Sequence, residues 1–303
     1  MIFIMIENKN LLSKIVSYFD HAKVKYTTNP NVDYDYYVVA ELNQRILKRI
    51  KENTSNKKKI IFITYLEEYK IIEFNDSNSV RANTYNNLLN SVLNQCYLVI
   101  VSLPSFKSIL KKHVKTKIEI VEKETPSLIK FRSNKPSKNS CLIIDTYYSK
   151  LERINEIANK FPKINFQVLG YVPDYLLSSK NINIVNNFPP NIKIIKNCSI
   201  FEYMTLVSKN NIIVYCENNI RDHNNLLYII LQKKQLLIKN SVAYNKYFIN
   251  SKNMYLYNDS KDFIFKLTKI LNNKVTNIST DAYLLIKDNN FEKISYKLKE
   301  ILK

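Results

Sequence analysis

Short runs of β-branched and aromatic residues alternate with amphipathic stretches along the whole chain. Leu11–Ala22 repeats apolar residues at helical spacing, whereas Tyr36–Ala40 (YYVVA) is a nearly continuous apolar run. An alternation of predicted strands and helices is typical of α/β layers built around a parallel sheet. The pattern therefore predicts an α/β fold.

The predicted elements fall into two series. The strands predicted in the first series are Met1–Ile6, Val24–Thr27, Tyr36–Ala40, Lys59–Tyr65, Tyr97–Ser102 and Lys117–Val121. The helices predicted there are Leu11–Ala22, Gln44–Glu52, Asn83–Gln95 and Ser105–His113. The strands or extended runs predicted in the second series are Cys141–Tyr148, Ile164–Tyr171, Asn181–Val185, Ile192–Lys196, Ile212–Cys216, Gln235–Ile238 and Met254–Tyr257. The helices predicted there are Lys150–Asn159, Ser199–Ser208, His223–Gln232 and Lys261–Leu271.

The segment Glu122–Ser140 (EKETPSLIKFRSNKPSKNS) separates the two series, because it contains prolines, serines and many charges. Such a composition is typical of an interdomain linker. We therefore expect a Rossmann-like domain over residues 1–121, a linker over 122–140 and a second Rossmann-like domain over 141–280. Residues 281–303 are predicted to form an amphipathic helix that packs back on the N-terminal domain.

The composition disfavours several common kinds of site. Gly170 is the only glycine in 303 residues, so the glycine-rich phosphate loops of classical NAD dehydrogenases and P-loop NTPases are absent. The four cysteines include no CxxC pair, and the three histidines have no partner at metal spacing. We therefore predict no metal and no cofactor. Dispersed cysteines of this kind fit a reducing, cytoplasmic compartment.

A formal net charge of +20 has two explanations that the composition leaves open. An excess of basic residues is how proteins meet nucleic-acid phosphates or anionic membranes. The excess is nearly all lysine, however, and it accompanies many Asn, Ile and Tyr residues and no Trp. A coding bias toward AT-rich codons would produce the same mixture without any anionic partner.

Four segments of the second half follow one another in an order that resembles a known family. They are Ile164–Tyr171 with its glycine, Asn181–Lys196, SIFEYMTLVSKNNIIVYCENN (Ser199–Asn219), and the stretch Asn218–Asp259. With the two-domain plan, they resemble GT-B glycosyltransferases, in particular bacterial retaining enzymes and the partner subunits of the adhesin-modifying group. The resemblance implies two Rossmann-like domains facing a cleft. It also implies a nucleotide-sugar donor, such as a UDP-sugar, and a protein, glycan or lipid acceptor.

Two departures from the family pattern bear on catalysis. Retaining members commonly carry a pair of glutamates around this loop; Glu217 matches the first, but Asn225 stands at the second. The first β–α loop, residues 7–10, also lacks the usual glycine. The resemblance therefore leaves two alternatives, a glycosyltransferase and a non-catalytic partner or chaperone subunit. A DNA-modifying glycosyltransferase is a third, because such enzymes share the plan.

The resemblance places the donor diphosphate at the start of the helix that follows Ile212–Cys216. Arg221, His223, Asn224 and Asn225 lie at that start. A basic residue and helix N-terminal amides can stabilise a departing diphosphate without a metal. Arg221 draws notice because lysine is the default cation of this chain. The alternative is an ordinary loop in which Asp222 caps the helix.

Three further residues are candidate donor contacts. Lys150 follows the first strand of the second half, where this fold often places a phosphate-binding cation; a solvated lysine at a helix start is the alternative. Gly170 ends a strand, which fits either a close approach of the nucleotide or a turn with positive φ. Glu217 could accept hydrogen bonds from ribose or sugar hydroxyls, and the alternative is an acid in a surface loop.

Two features of the first half are candidates for contact with the acceptor. Glu67 and Glu68 follow a predicted strand, where a base could lie, but tandem acids more often complement a helix dipole. Residues 105–117 contain the basic amphipathic stretch KSILKKHVKTK. It predicts contact with a membrane surface or a nucleic-acid backbone, unless it is an ordinary helix that faces the core.

Overall fold

A computed structural model describes residues 1–55, 58–66, 80–125, 137–145, 150–170, 179–196, 198–216, 223–241, 244 and 248–303. The chain divides into two compact units. The first contains Met1–Glu124 and the C-terminal segment Asp288–Lys303, and the second contains Thr125–Ser241 and Phe248–Lys287.

The first unit has a six-stranded parallel sheet. Its strands are β1 (Ile2–Ile4), β2 (Tyr26–Thr27), β3 (Tyr36–Val39), β4 (Lys59–Ile63), β5 (Leu98–Val101) and β6 (Lys117–Ile120). Its helices are α1 (Lys9–His21), α2 (Gln44–Ser55), α3 (Val80–Gln95) and α4 (Pro104–Leu110). The strand order is β2-β1-β3-β4-β5-β6. Strands such as β5 (LVIV) are buried on both faces, which explains their continuous apolar runs.

The second unit has another six-stranded parallel sheet. Its strands are β7 (Ser137–Ile144), β8 (Asn165–Leu169), β9 (Ile192–Ile195), β10 (Asn210–Tyr215), β11 (Gln235–Lys239) and β12 (Tyr255–Tyr257). Its helices are α5 (Leu151–Lys160), α6 (Ser179–Asn186), α7 (Ile200–Lys209), α8 (His223–Leu231), α9 (Ser260–Leu271) and α10 (Ser279–Ile286). The strand order is β12-β11-β10-β7-β8-β9. Strands β7 and β10 lie at the centre, and the strands that follow each of them in sequence lie on opposite sides.

The C-terminal segment forms two helices, which corrects the single helix predicted over residues 281–303. Helix α10 ends at Ile286, and α11 (Phe291–Ile301) follows it. Ile294 and Leu298 of α11 are buried in a core cluster with Ile15 and Phe19 of α1. Asn290 begins α11, because its side chain accepts a hydrogen bond from the backbone of Lys293 at 2.9 Å.

Residues 181–185 are helical, which corrects the extended run predicted from the alternation in NINIV. They lie within α6, and Ile184 and Val185 pack against the core of the second unit together with Phe188. Spacings of one and four residues suit one face of a helix, and a run of five residues is too short for periodicity alone to separate helix from strand. The predicted linker also ends inside an element, since β7 begins at Ser137.

Helices in this protein end without glycine. Lys23 has φ 55° and Asn273 has φ 54°, and both follow helix C-caps in the left-handed region where glycine is usual. Helix α5 ends differently. The side-chain amide of Asn191 lies 3.1, 3.1 and 3.0 Å from the carbonyl oxygens of Ala158, Phe161 and Ile164. A side chain from a distant segment thus satisfies carbonyl groups at this helix end.

Candidate functional site

The carboxyl ends of the six strands in the second sheet lie at one edge of that sheet, because all six strands are parallel. The central strands β7 and β10 pair through Val214 and Tyr215 against Ile143 and Ile144. The connection from β7 runs to β8 on one side, and the connection from β10 runs to β11 on the other. Ligands of open α/β sheets bind at such a switch point, outside the carboxyl ends of the strands. The edge beside β7 and β10 is therefore the candidate site.

Asp145 lies at the centre of this edge, directly after β7. It is 2% exposed. Its Oδ2 accepts a hydrogen bond of 2.8 Å from the backbone N–H of Lys150, the residue that begins α5. A carboxylate at this position stabilises the helix start by satisfying an unpaired N–H and by facing the positive end of the helix dipole. The N-terminus of α5 is thus already occupied by an anion of the protein itself.

Two other helix N-termini at the same edge are also capped. Ser199 and Glu202 form a capping box at α7, in which each side chain accepts a hydrogen bond from the backbone N–H of the other residue. Asp259 caps α9, accepting from the backbone of Lys261 and Asp262 at 2.8 and 2.9 Å. Hydrogen bonds from the backbone of Asp262 and Lys261 lower the pKa of Asp259, and Lys150 contributes weakly to the same shift. Three helix starts at this edge therefore hold side-chain oxygens of the chain.

Helix α8 begins at His223, after β10 and beside the switch point. Of the residues predicted there, His223 and Asn224 are its first two, and the structure describes only the backbone of these two residues. Asn225 is the third and is half-buried. Glu217 and Arg221 lie outside the described residues, as does Asp222. The structure thus brings the α8 start to the candidate edge and leaves the roles of these side chains as predictions.

Two buried side-chain oxygens follow β11 at the same edge. Among the described residues, Asn240 Oδ1 and Ser241 Oγ have no hydrogen-bond partner, while Asn240 Nδ2 donates to Asn258 Oδ1 at 2.8 Å. Most buried polar atoms in proteins are hydrogen-bonded, and exceptions occur where a ligand or water binds. These groups were not predicted, since a single Asn-Ser pair after a strand is common in a chain so rich in asparagine.

Lys150 and Gly170 both lie at the candidate edge. Lys150 is half-buried and is the N-cap residue of α5. Gly170 is buried after β8, and its N–H donates to the carbonyl oxygen of Ile195 at 3.0 Å. Its φ is not positive, so the turn explanation for this glycine is wrong. The close approach of a nucleotide to its bare backbone stays a prediction.

Asp145 was missed, although the sequence carries a signal for it. An acidic residue directly follows the buried run Cys141–Ile144 (CLII), which marks the end of a central strand. The sequence predicts that strand as far as Tyr148, which places Asp145 inside the strand and not after it. Residues 146–149 lie outside the described part of the chain.

His21 and the tandem glutamates belong to the first series of elements in the sequence. His21 contacts the rings of Phe291 and Tyr296, with centroids 5.1 and 5.7 Å away. Glu67 and Glu68 lie outside the described residues. Within the ranges that are described, no group of three or more His, Cys, Asp and Glu side chains could hold a metal ion.

The basic stretch at residues 105–117 is not one amphipathic helix. Helix α4 ends at Leu110, and β6 begins at Lys117. Phe106, Leu110 and Val114 are buried, so the structure supports the alternative in which these apolar residues face the core. Among the described helices, none has the length and apolar character needed to cross a membrane.

Two parallel six-stranded sheets, each packed with helices, define the GT-B-like fold that the sequence predicted. A glycosyltransferase from Rickettsia africae is similar over 99% of this chain and 96% of its own, with a TM-score of 0.65 and 11% identity. The GtfA/B complex matches 95% of this chain with a TM-score of 0.68 and 11% identity, and this chain spans 59% of that one.

The same fold also occurs in an enzyme of a different activity. The UDP-GlcNAc 2-epimerase from Neisseria meningitidis, bound to UDP-GlcNAc, matches 98% of this chain and 89% of its own, with a TM-score of 0.56 and 13% identity. Comparison of the sequence with protein-family models and with curated proteins finds no match. Identities of this size establish the fold and leave the activity to be argued from the site.

Proposed function

We propose that this protein is a glycosyltransferase that moves a sugar from a nucleotide-sugar donor, a UDP-sugar, to an acceptor. The observation that carries the proposal is the two-unit fold, which is shared over 99% of the chain with a glycosyltransferase. The neighbouring epimerase contains UDP-GlcNAc, so a UDP-sugar also suits the fold when the chemistry differs. A protein, a glycan or a lipid would be the acceptor.

In this proposal the donor lies against the second unit, with its diphosphate at the start of α8. Asp145, Ser199 with Glu202, and Asp259 already occupy three other helix starts at this edge. A phosphate brought to those starts would displace or repel a side-chain oxygen. The α8 start adjoins Arg221 in the sequence, and a guanidinium paired with helix N–H groups would stabilise the leaving diphosphate.

Neighbouring residues would then position the rest of the donor. The buried Asn240 Oδ1 and Ser241 Oγ would hydrogen-bond to donor hydroxyls or phosphate oxygens. Glu217 would accept hydrogen bonds from the ribose or the sugar. Lys150 would assist the diphosphate, although Asp145 accepts from its backbone N–H and reduces the local positive charge. The bare backbone of Gly170 would allow close approach of the nucleotide.

Donor binding is tested by titration calorimetry with UDP-, GDP- and TDP-sugars. We expect one UDP-sugar to bind and Arg221→Ala to weaken that binding by roughly 10-fold or more, the effect of losing a charge-assisted hydrogen bond. Arg153→Ala is the matched control, because Arg153 belongs to the same unit but pairs with Glu156 at 3.3 Å on the outer surface of α5. Absence of binding across the panel would overturn the proposal.

Product analysis separates transfer from epimerisation. With the bound UDP-sugar and a mixture of acceptors, we expect UDP release to depend on the acceptor and a new glycosidic product to form. An epimerase would instead convert the UDP-sugar into its C2 epimer with no acceptor. NMR of the sugar anomeric protons distinguishes these outcomes directly.

A second candidate function is a non-catalytic partner subunit. Two observations favour it: Asn225 stands where the family resemblance requires the second glutamate, and one structural neighbour is the GtfA/B complex. Such a subunit would show little transfer alone and would raise the activity of a co-purifying enzyme. Transfer assays with and without that enzyme test this function, and Asn225→Glu tests whether the missing carboxylate alone limits the isolated chain.

A further inference from the structure

The first unit has its own crevice at the switch point of its sheet. Strand β1 lies between β2 and β3, and β2 pairs only with Ile2 and Phe3. Beyond Phe3, β3 is the only described strand that pairs with β1, so the carboxyl half of β1 borders a side that no described strand covers. A cavity of about 280 Å³ lies there. Its size is near the lower limit of small-molecule sites, roughly 300 Å³.

Two arginines form one wall of this cavity. Arg45 and Arg49 are four residues apart on α2 and therefore lie on the same face of the helix. The chain has 46 lysines and arginines, of which very few are arginine. A planar guanidinium binds a carboxylate or a phosphate with two parallel hydrogen bonds, which an ammonium group cannot do. Two arginines on one cavity wall thus indicate an anionic ligand.

The ion pairs described for these two arginines are solvent-exposed. Arg45 Nη1 lies 3.6 Å from Glu7 Oε1, beyond hydrogen-bond distance, and the Arg45 side chain is 72% exposed. Arg49 Nη1 lies 3.1 Å from Glu52 Oε2 one helical turn away, and both side chains are about half exposed. Exposed pairs of this type contribute little to stability, so a ligand anion can compete for both guanidinium groups.

Glu7 limits where the anion can bind. Its carboxylate also lines the cavity, and its Oε2 accepts a hydrogen bond of 2.9 Å from Asn43 Nδ2. Asn43 therefore holds the Glu7 carboxylate beside Arg45. An anionic group bound by Arg45 and Arg49 would replace Glu7 as the partner of Arg45, while hydroxyl groups of the same ligand could donate to the Glu7 carboxylate.

The rest of the cavity is mainly apolar. Phe3, Met5, Leu12 and Pro30 line it, and Phe3 is held by ring contacts with Tyr34 and Tyr37 at 5.0 and 5.5 Å. Apolar walls offer a surface to the C–H face of a ring. The lining thus suits a small ring compound that bears one negative charge.

We propose that this cavity binds a small sugar-like molecule through its phosphate or carboxylate group, held by Arg45 and Arg49. The assignment of this molecule as the acceptor substrate rests on the proposed function, whereas its binding does not. The acceptor, or the end of it that enters the first unit, is then acidic. Donor recognition and anion recognition are assigned to different units and can be tested separately.

The test is titration calorimetry with four probes on the full chain: glucose, glucose 6-phosphate, glucuronate and inorganic phosphate. We expect glucose 6-phosphate or glucuronate to bind at least 10-fold more tightly than glucose. The stronger of the two identifies the anionic group, phosphate or carboxylate. Inorganic phosphate measures the share of the affinity that the anion alone supplies.

Two substitutions and a control assign the binding to this cavity. The double variant Arg45→Gln, Arg49→Gln should lose 10-fold or more of the affinity for the charged probe and leave the weak affinity for glucose unchanged. Arg45→Lys with Arg49→Lys keeps the charge and should retain part of the binding. Arg153→Gln is the control, because its pair with Glu156 repeats the spacing and distance of Arg49 with Glu52.

The results that overturn the proposal are distinct from those that overturn the donor site. Equal binding of charged and neutral probes, no binding of any probe, or binding that the double glutamine variant leaves intact would each refute the cavity as an anion site. UDP-sugar titration of the same double variant should be unchanged. Loss of donor binding only in Arg221→Ala therefore reports on the proposed function and not on this cavity.

Discussion

The two sheets differ in the polar groups that lie at the edge where their strands end. In the first unit, Glu41 follows β3 and reaches across to the neighbouring loop, accepting from the backbone of Glu7 and Asn8 at 2.6 and 3.3 Å. In the second unit, Asp145 follows β7 and accepts from Lys150 within its own loop. Both edges thus place a carboxylate of the chain on backbone N–H groups.

The difference lies in what remains available beside each carboxylate. The first edge has an open cavity with two arginines, because β2 is too short to cover β1. The second edge has the α8 start and two buried polar atoms that have no partner within the described part of the chain. An anion is therefore expected to meet only side chains in the first unit, and helix N–H groups together with Arg221 in the second.

The largest effect is expected from core truncations, each of which should destabilise one unit and not the other. Leu298→Ala in α11 should destabilise the first unit by about 2–5 kcal/mol, and Ile286→Ala in α10 should destabilise the second by a similar amount. Both side chains are almost fully buried, and they lie only twelve residues apart in the sequence.

Two buried cysteines report on the units separately. Burial raises the pKa of Cys96 in the first unit to about 12, and it raises the pKa of Cys141 in the second, so alkylation near pH 8 requires opening. Leu298→Ala should increase the labelling rate of Cys96 roughly 30-fold or more with little change at Cys141. Ile286→Ala should do the reverse. Equal acceleration at both cysteines in either variant would show that the units open together.

The next effect concerns the two edge carboxylates. Asp145→Ala should lower the free energy of unfolding of the second unit by about 1.5–3 kcal/mol, since it removes a buried charged acceptor from a helix start. Glu41→Ala should lower that of the first unit by about 1 kcal/mol, because Glu41 is only half-buried. Urea unfolding measures both. A larger loss in Glu41→Ala would reverse the comparison between the edges.

A smaller effect is expected from pH at the capping box of α7. Hydrogen bonds with Ser199 lower the pKa of Glu202, so its charge stabilises the fold above the ordinary glutamate pKa, about 4.3. That contribution is lost as the pH falls through the lowered folded-state value. Wild type should therefore exceed Glu202→Gln in stability at pH 7, and the two should converge in acid. A difference that persists at pH 2.5 would contradict this cause.

The smallest effect concerns the left-handed helix ends. Lys23→Gly should stabilise the first unit by about 0.5–1 kcal/mol, because relief of a left-handed lysine exceeds the entropy cost of glycine. Asn273→Gly in the second unit should change stability by less, since asparagine tolerates this conformation better than lysine. Thermal unfolding of the two variants provides the comparison. Equal gains would mean that residue type has no influence at these positions.

Much of the fold could be predicted because parallel strands buried on both faces form continuous apolar runs. Strands such as Tyr36–Val39 and Lys59–Ile63 differ from their predicted limits by one or two residues at the carboxyl end. The failures are short segments. NINIV is helical because Ile184 and Val185 pack on a core that the local sequence does not contain, and α4 stops at Leu110 because the chain must return to β6.

The sites were less predictable than the fold. Lys150 and Gly170 follow strands in the structure as in the sequence analysis, since position after a strand is a local property, and their roles toward a donor stay predictions. Arg45 and Arg49 were missed, because their meeting with β1 depends on β3 pairing beside β1 while β2 goes to the outside. Strand order is a tertiary property that the periodicity of individual segments does not reveal. Asp145 was missed for the local reason that its strand was drawn too long.

The amide of Asn191 has a consequence for the order in which the second unit folds. Most helices are terminated by residues adjoining their own last turn, so their ends form as soon as the helix does. The end of α5 instead waits for a side chain thirty residues later in the chain, just before β9. Closing that helix is therefore coupled to the docking of β9 on β8. We expect the last turn of α5 to become protected from hydrogen exchange together with β9, and later than its first turns.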